Sequence, residues 1–375
     1  MQRSDSGTLE LIEALAMSAR VDQRAVLIVG VGACTALGAN LPASAAAVRA
    51  AISGFADHPY MIDKAGDPMV VARASYLPDG LSAAEHFAAL AIPAAQEALA
   101  FLATGGKQVQ GMPAVIGLPP RRPGRADNLD TEMAQRCKAG LDSGAQLAVV
   151  RTVPSGHAAG LEALAQAWRL IRSGNLDACL VGGVDSYLEP ETLEWLDDRE
   201  QLHSNTNKWG FIPGEGAGFV LLSSPEFARQ HNLRPLGEVL AAAIAQEQNL
   251  IKTDSVCTGE GLSAAVRQVL QSLLSRSEPI HQTICDMNGE RYRADEFGYT
   301  LVRTADRYSD PGEFLAPADC WGDVGAASGP LFIGLAVAAG LKGYAEGPNT
   351  LIWTSSEAGE RGAAIIRVEA APREA

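Results

Sequence analysis

Two stretches of this chain repeat one arrangement, and the repeat restricts the possible folds more than any other feature. Gly156-His157 opens an alanine-rich helix that leads to an apolar strand at residues 179–183. Gly322-Asp323 opens a second alanine-rich helix, about 165 residues further on, that leads to a strand at 351–354. Both helices are poor in charge along much of their length. A helix apolar on most sides has no face to offer water and must be buried. Two such units predict two similar halves, each burying a central helix between sheets.

The remaining pattern fits that frame. Residues 25–31 are apolar and β-branched and end in Gly-Val-Gly, which reads as a buried parallel strand. Strands are also expected at 113–117 and 147–152, and helices at 44–51, 82–102 and 156–171. Residues 119–130 (PPRRPGRADNLD) form a loop by composition. Strands alternating with helices imply an α/β protein with largely parallel sheets. Residues 1–24 read as an N-terminal extension with a short amphipathic helix over 9–19, followed by an N-terminal half at 25–245 and a C-terminal half at 246–375.

Composition removes several function classes. With 375 residues, 47% of them hydrophobic, the chain has ample material for a core. No apolar run approaches the roughly 20 residues of a membrane span, and the first residues lack a secretory layout. A cytoplasmic protein without membrane contact is the expectation. A formal net charge of −14 argues against nucleic-acid binding. The six cysteines are scattered without a CxxC pair, so neither a metal site nor a disulfide framework is expected. Cys179 and Cys285 sit in apolar runs and read as small buried hydrophobes. The GVGACT segment at 30–35 lacks the third glycine of a dinucleotide fingerprint, and no cofactor is expected.

Five segments in order resemble the β-ketoacyl synthases of fatty-acid and polyketide assembly: VGVGACTALG (29–38), SGHAAGLEALAQAWRLI (155–171), LVGGVD (180–185), GFIPGEGAG (210–218) and GDVGAASG (322–329). The resemblance implies a thiolase fold, two fused pseudo-symmetric α/β halves in a five-layer αβαβα arrangement, normally dimeric. In the family a cysteine at the start of the buried helix is the nucleophile. There the helix dipole stabilises a thiolate and backbone N–H groups form an oxyanion hole. Aligned through Trp168-Arg169-Leu170-Ile171, this chain has His157 at that position. Asn288, within DMNGER at 286–291, replaces one family histidine, and Asp323 replaces the other. Ala318 stands for the family's lysine. The gating phenylalanine of the C-terminal glycine-rich loop becomes Ala358, beside Gly359.

These departures bear on chemistry. At a helix N-terminus an imidazole is disfavoured as a cation, so His157 is expected to stay neutral. Neutral imidazole lacks a thiolate's durable thioester chemistry. Asp323 would repel a malonyl carboxylate. The leading expectation is therefore a ketosynthase-like protein lacking the cysteine nucleophile, a non-condensing binding or scaffolding subunit. It would resemble chain-length factors or accessory components of secretion gene clusters. The alternative is an acyl hydrolase or acyltransferase of altered chemistry, with His157 and Asp323 as an acid–base pair. Ser155, Glu290, Ala358 and Gly359 are expected to meet a substrate, although Ser155 reads equally as a helix cap. Arg121, Arg122 and Arg125 read first as a solvated loop and second as a contact for an acidic carrier protein. Gly214, Gly216 and Gly218 around Glu215 read as architecture. The segment between Ile116 and His157 is short for the family, which implies an altered acyl channel. The apolar strand LAVVRT at 147–152 would be an aggregation hazard as an open edge. A homodimer, or a heterodimer with another thiolase-fold chain, is the expected remedy.

Overall fold

The computed structural model describes residues 24–369 apart from 105–108, 142–143 and 275–276. The expected extension, except Arg24, and the helix at 9–19 lie outside the described residues. In chain order the elements begin with β1 (Leu27–Thr35), α1 (Leu41–Arg49), the hairpin β2 (Phe55–Ile62) and β3 (Pro68–Ala72), and α2 (Ala83–Thr104). Next come β4 (Val109–Gly117), α3 (Leu129–Gly140), β5 (Ala145–Val153), a 3₁₀ turn at Gly156–Ala158, and α4 (Ala159–Arg172). The middle of the chain holds β6 (Ala178–Ser186), α5 (Pro190–Asp198), β7 (Glu215–Ser223), α6 (Pro225–Gln230) and β8 (Gly237–Gln246). The last part holds α7 (Glu260–Leu274), β9 (Gln282–Cys285), α8 (Arg291–Thr304), the short α9 (Ala318–Trp321), a 3₁₀ turn at Gly325–Ala327, α10 (Ser328–Leu341), β10 (Asn349–Ser355) and β11 (Glu360–Arg367).

Nine strands form one ladder in the order β5-β4-β6-β7-β1-β8-β11-β10-β9. β1 and β8 share only the pairs Leu27–Glu238 and Ile28–Gly237, so the ladder is nearly divided there. β8 pairs along its length with β11 on the far side of that point. α4 packs on β4 and β6 of one half and on β8 and β11 of the other, while α10 packs on β7, β1 and β10. The two helices thus fill the space between the half-sheets. α2 covers the outside of the first half, and α7, backed by α8, covers the second. The result is the five-layer α/β arrangement expected of a thiolase fold.

The buried strands follow from their side chains. β6 (ACLVGGVDS) and β7 (EGAGFVLLS) are buried at every position, as strands covered on both faces must be. The sheet is nevertheless mixed, not largely parallel. β4 runs parallel to β5 and β6, and β9 to β10. β7 is antiparallel to both β6 and β1, and β11 to both β10 and β8. A helix returns the chain to a parallel strand only when it carries it back to the same end of the sheet. The short turn between β10 and β11 cannot do so.

The repeat is present with a shifted start. α4 follows directly on the 3₁₀ turn at Gly156–Ala158, and α10 on the one at Gly325–Ala327. Gly322-Asp323 therefore does not open its helix; Asp323 stands two residues ahead of the turn and accepts the Gly325 amide N–H at 2.8 Å. The edge strands differ too. β5 is a nine-residue strand, whereas its counterpart beyond β9 is reduced to isolated parallel bridges, Ile280–Tyr308 and Ile284–Leu315.

Candidate functional site

The two 3₁₀ turns face each other between the half-sheets. On one side β5 ends at Val153, and Gly156 takes the left-handed region (φ 72°) that starts the turn carrying His157. On the other, the Asp323 amide donates to the Ile212 carbonyl (2.8 Å) and the Asp323 carbonyl accepts from the Gly214 amide (2.8 Å). The GFIPGEGAG segment thus clamps the Asp323 backbone. Next to it the fully buried Glu215 accepts from the Ala74 amide (2.8 Å) and the Ser186 hydroxyl (2.8 Å), and its carboxylate lies 2.6 Å from His86 Nε2. This accords with the architectural reading of that segment.

His157, Asn288, Glu290 and Asp323 come together as one buried cluster. His157 Nε2 lies 2.9 Å from each carboxylate oxygen of Asp323. Asn288 Nδ2 donates to Asp323 Oδ2 at 2.6 Å and to Glu290 Oε2 at 3.0 Å. The organising cation is Arg293, on the first turn of α8, with its side chain 1% exposed. Its Nη1 donates to Asp286 Oδ2 (2.7 Å) and to the Ser355 carbonyl (3.0 Å), and its Nη2 lies 3.1 Å from His157 Nε2. Burial alone would raise the Asp323 carboxyl. The charge and hydrogen bond of His157, the charge of Arg293 and the Gly325 amide outweigh it and hold the group well below the usual carboxylate range. His157 Nε2 therefore faces a carboxylate and a guanidinium together. Protonated, it donates to Asp323; unprotonated, it accepts from Arg293. In either tautomer this nitrogen is engaged by the protein's own groups.

Nearby hydroxyls are turned elsewhere. Ser155 Oγ donates to Glu162 Oε2 at 2.8 Å. Ser356 Oγ accepts the Ala158 amide (2.8 Å) and donates to the Ser155 carbonyl (2.5 Å). Among the described residues there is no serine–histidine hydrogen bond of the kind a hydrolase triad uses. Ser155 is not a hydrogen-bonding cap of the helix start.

A cavity of about 490 Å³ opens above the cluster, within the range typical of small-molecule sites. His157, Asp323, Glu290, Ser155 and Ala358 all line it, with Tyr187, Trp195 and Phe211 as its aromatic wall. No cysteine is among its lining residues. Gly359, expected beside Ala358, is not in the wall. Its carbonyl accepts the Glu247 amide (2.7 Å), and its positive φ closes the β10–β11 turn, so its work is local to the backbone.

The three arginines of the 119–130 loop are not all solvated. Arg121 is solvated, with a side chain 78% exposed, but Arg122 and Arg125 are buried at 5% and 2%. Arg122 donates to Asp185 Oδ1 and to the Ser186 carbonyl, both at 2.6 Å, and lies 4.1 Å over the Tyr187 ring. Arg125 donates to Asp130 Oδ2 at 2.6 Å. The loop is thus pinned by two inward guanidiniums and forms a wall of the cavity. Asp185, Asp286, Arg122 and Arg293 were missed as site residues. Asp286 and Arg293 bracket the Asn288-Gly289 turn, and opposite charges on either side of a tight turn were the available signal.

Against known proteins, the description of the β-ketoacyl synthase N-terminal domain matches residues 147–228, the stretch holding β5, the His157 turn, α4, β6 and β7. A Saccharomyces cerevisiae 3-oxoacyl-[acyl-carrier-protein] synthase homolog is 26% identical over 135 residues, 34% of this chain and 30% of that protein. The Mycobacterium tuberculosis 3-oxoacyl-[acyl-carrier-protein] synthase 2 is 27% identical over 146 residues, 35% of this chain and 34% of that protein. The matches thus span about a third of these relatives' length. A ketosynthase from module 6 of the Bacillus subtilis bacillaene synthase superposes with a TM-score of 0.73 at 15% identity, covering 92% of this chain and 72% of that one. The ishigamide ketosynthase/chain length factor gives 0.73 at 17%, covering 92% and 99%. The structural likenesses show that the chain has the ketosynthase, thiolase-like fold. Within that fold, residues 147–228 are the part of the chain that matches the β-ketoacyl synthase N-terminal domain.

Proposed function

We propose that this chain is a non-condensing member of its family that binds a small ligand above His157, and that Asn288, Asp323 and His157 occupy the positions of the family's catalytic residues without their chemistry. The observation that carries the reading is the buried His157–Asp323–Arg293 cluster, with no cysteine on the cavity wall. Decarboxylative condensation needs a thiolate to hold the acyl group and neutral donors to receive a carboxylate. Here an anionic Asp323 faces the cavity in place of such a donor. Native mass spectrometry of protein purified from its own cells tests the reading. A bound small molecule is expected; a site that stays empty at every concentration of acyl and polyketide ligands would contradict it.

A hydrolase or acyltransferase is the second reading, favoured by the cavity's access to His157. Its requirement is a hydroxyl or water activated by the ring nitrogen that Asp323 does not hold. Release of free acid from an acyl thioester, lost in His157→Ala, would support it.

Association with a second thiolase-fold chain is part of the proposal. Among the described residues β5 lies at the end of the ladder, paired with β4 alone, and Val149 on it is 61% exposed. An open apolar edge is commonly covered by another chain. Among the solved relatives, one is a ketosynthase in complex with its acyl-carrier protein and another is a ketosynthase with a chain length factor, so both partner types are candidates. Sedimentation at micromolar concentration should show a dimer, alone or with a related chain, that Val149→Asp abolishes. A stable monomer that gains no partner in cell extract would remove this part.

A further inference from the structure

The cavity wall carries five carboxylates: Glu162, Glu290, Asp323, Glu357 and Glu360. Asp323 is matched within the buried cluster. Glu290 and Glu357 share the Lys252 ammonium, at 2.9 and 2.5 Å, and Glu290 also lies 3.6 Å from Arg293 Nε. The two arginines of the wall are already committed, Arg122 to Asp185 and Arg121 to Asp127. Among the described residues, the donors to Glu162 are neutral, the Ser155 hydroxyl and the Gln166 amide. Glu360 Oε2 is buried without a hydrogen-bond partner. Among the described residues, Glu162 and Glu360 form no ion pair, so the wall holds negative charge that the protein leaves uncompensated.

We propose that the ligand of this cavity is an apolar molecule bearing a protonated amine, its ammonium held by Glu162 and Glu360 and its body against Tyr187, Trp195 and Phe211. The proposal rests on the reading of the cavity as an open ligand site. A buried carboxylate lacking a partner is costly, and an incoming ammonium relieves that cost while forming a charge-assisted hydrogen bond. Aromatic side chains attract cations and cover apolar chain equally well. An anionic ligand would meet the same two carboxylates as like charges in a poorly solvated space.

The test uses three probes of equal length, n-octylamine, n-octanol and octanoate, titrated into the full chain by calorimetry. Octylamine is expected to bind at least tenfold more tightly than octanol, with octanoate weakest. Glu162→Gln and Glu360→Gln, nearly isosteric changes checked for native melting, should each bring the amine-to-alcohol ratio towards one. Octanoate binding as tightly as octylamine would overturn the charge preference while leaving the ligand site standing. Failure of all three probes to bind at millimolar concentration would remove the ligand site and this proposal together.

Discussion

The turn at Gly156–Ala158 and the turn at Gly325–Ala327 each lead into a fourteen-residue helix between the half-sheets, yet they are held differently. The first comes directly off β5 and presents His157 to a cavity. Its helix, α4, carries Glu162, Arg169 and Arg172 and leaves Leu170 exposed. The second is sealed. Every residue of α10 but Leu341 is buried, and the turn before it is tied by two carboxylates, Asp323 to the Gly325 amide and Asp185 to the Ala326 amide at 3.0 Å. One half supplies the accessible group and the open edge strand. The other supplies the rigid anionic wall that holds that group in place. The two turns therefore share a backbone plan while their side chains are divided between access and support.

The largest effect should come from the cation that joins the two sides. Arg293→Leu leaves Asp286 and Asp323 buried beside each other's charge, and removing one member of a buried ion network costs about 3–5 kcal/mol. Chemical denaturation should show a loss of this size. A variant of near-native stability would mean that the cluster is not held by Arg293.

The two glycines break the comparison most cleanly. At Gly325 (φ 45°) a Cβ would meet Asp185 Oδ2 at 2.0 Å, whereas at Gly156 (φ 72°) it would lie 3.4 Å from Pro120 and Ser356. Both alanine variants carry left-handed strain of about 1–3 kcal/mol. Only Gly325→Ala adds displacement of the Arg122–Asp185 pair, so it should be the more destabilised of the two. Equal losses would show that the second turn is no tighter than the first.

A smaller effect is expected from Asp323→Asn, about 2 kcal/mol at neutral pH, the worth of charge-assisted hydrogen bonds lost to a neutral isostere. Its pH dependence has a definite sign. The folded carboxyl lies below its unfolded value. Its stabilisation is therefore complete above the unfolded pKa of about 3.9 and lost as pH falls through the depressed folded value. The stability gap between the two proteins should be constant from about pH 5 to 7 and shrink on acidification below about pH 4. A gap that widens towards low pH would mean that Asp323 is protonated in the native state.

Much of this was legible in the residues. The two buried helices, the strand that follows each and the meeting of the His157 turn with the Asp323 region follow from charge-poor helices preceded by glycine turns. The late start of α10 was not, because Gly322-Asp323 and Gly325-Ala326 are both plausible openings and the choice is set by contacts with Asp185 and Gly214, distant in sequence. Arg293 was missed because RYRADEF reads as a solvated helix face. Its burial depends on Asp286 and the Ser355 carbonyl, which only the packed sheet brings to it. Arg122 misled for the same reason, since a guanidinium in a proline-rich loop is ordinarily exposed, and its partner Asp185 lies at the end of a different strand.

On the function proposed above, the His157 position does not support carbon–carbon bond formation. Purified protein should be incubated with acyl and malonyl thioesters of an acyl carrier protein and the products resolved by mass. No condensation product is expected from the native chain. None is expected from His157→Cys either, because Asn288, Asp323 and Arg293 remain around the restored thiol. A β-ketoacyl product from the native chain, persisting in His157→Ala, would contradict the account and place the reacting residue elsewhere.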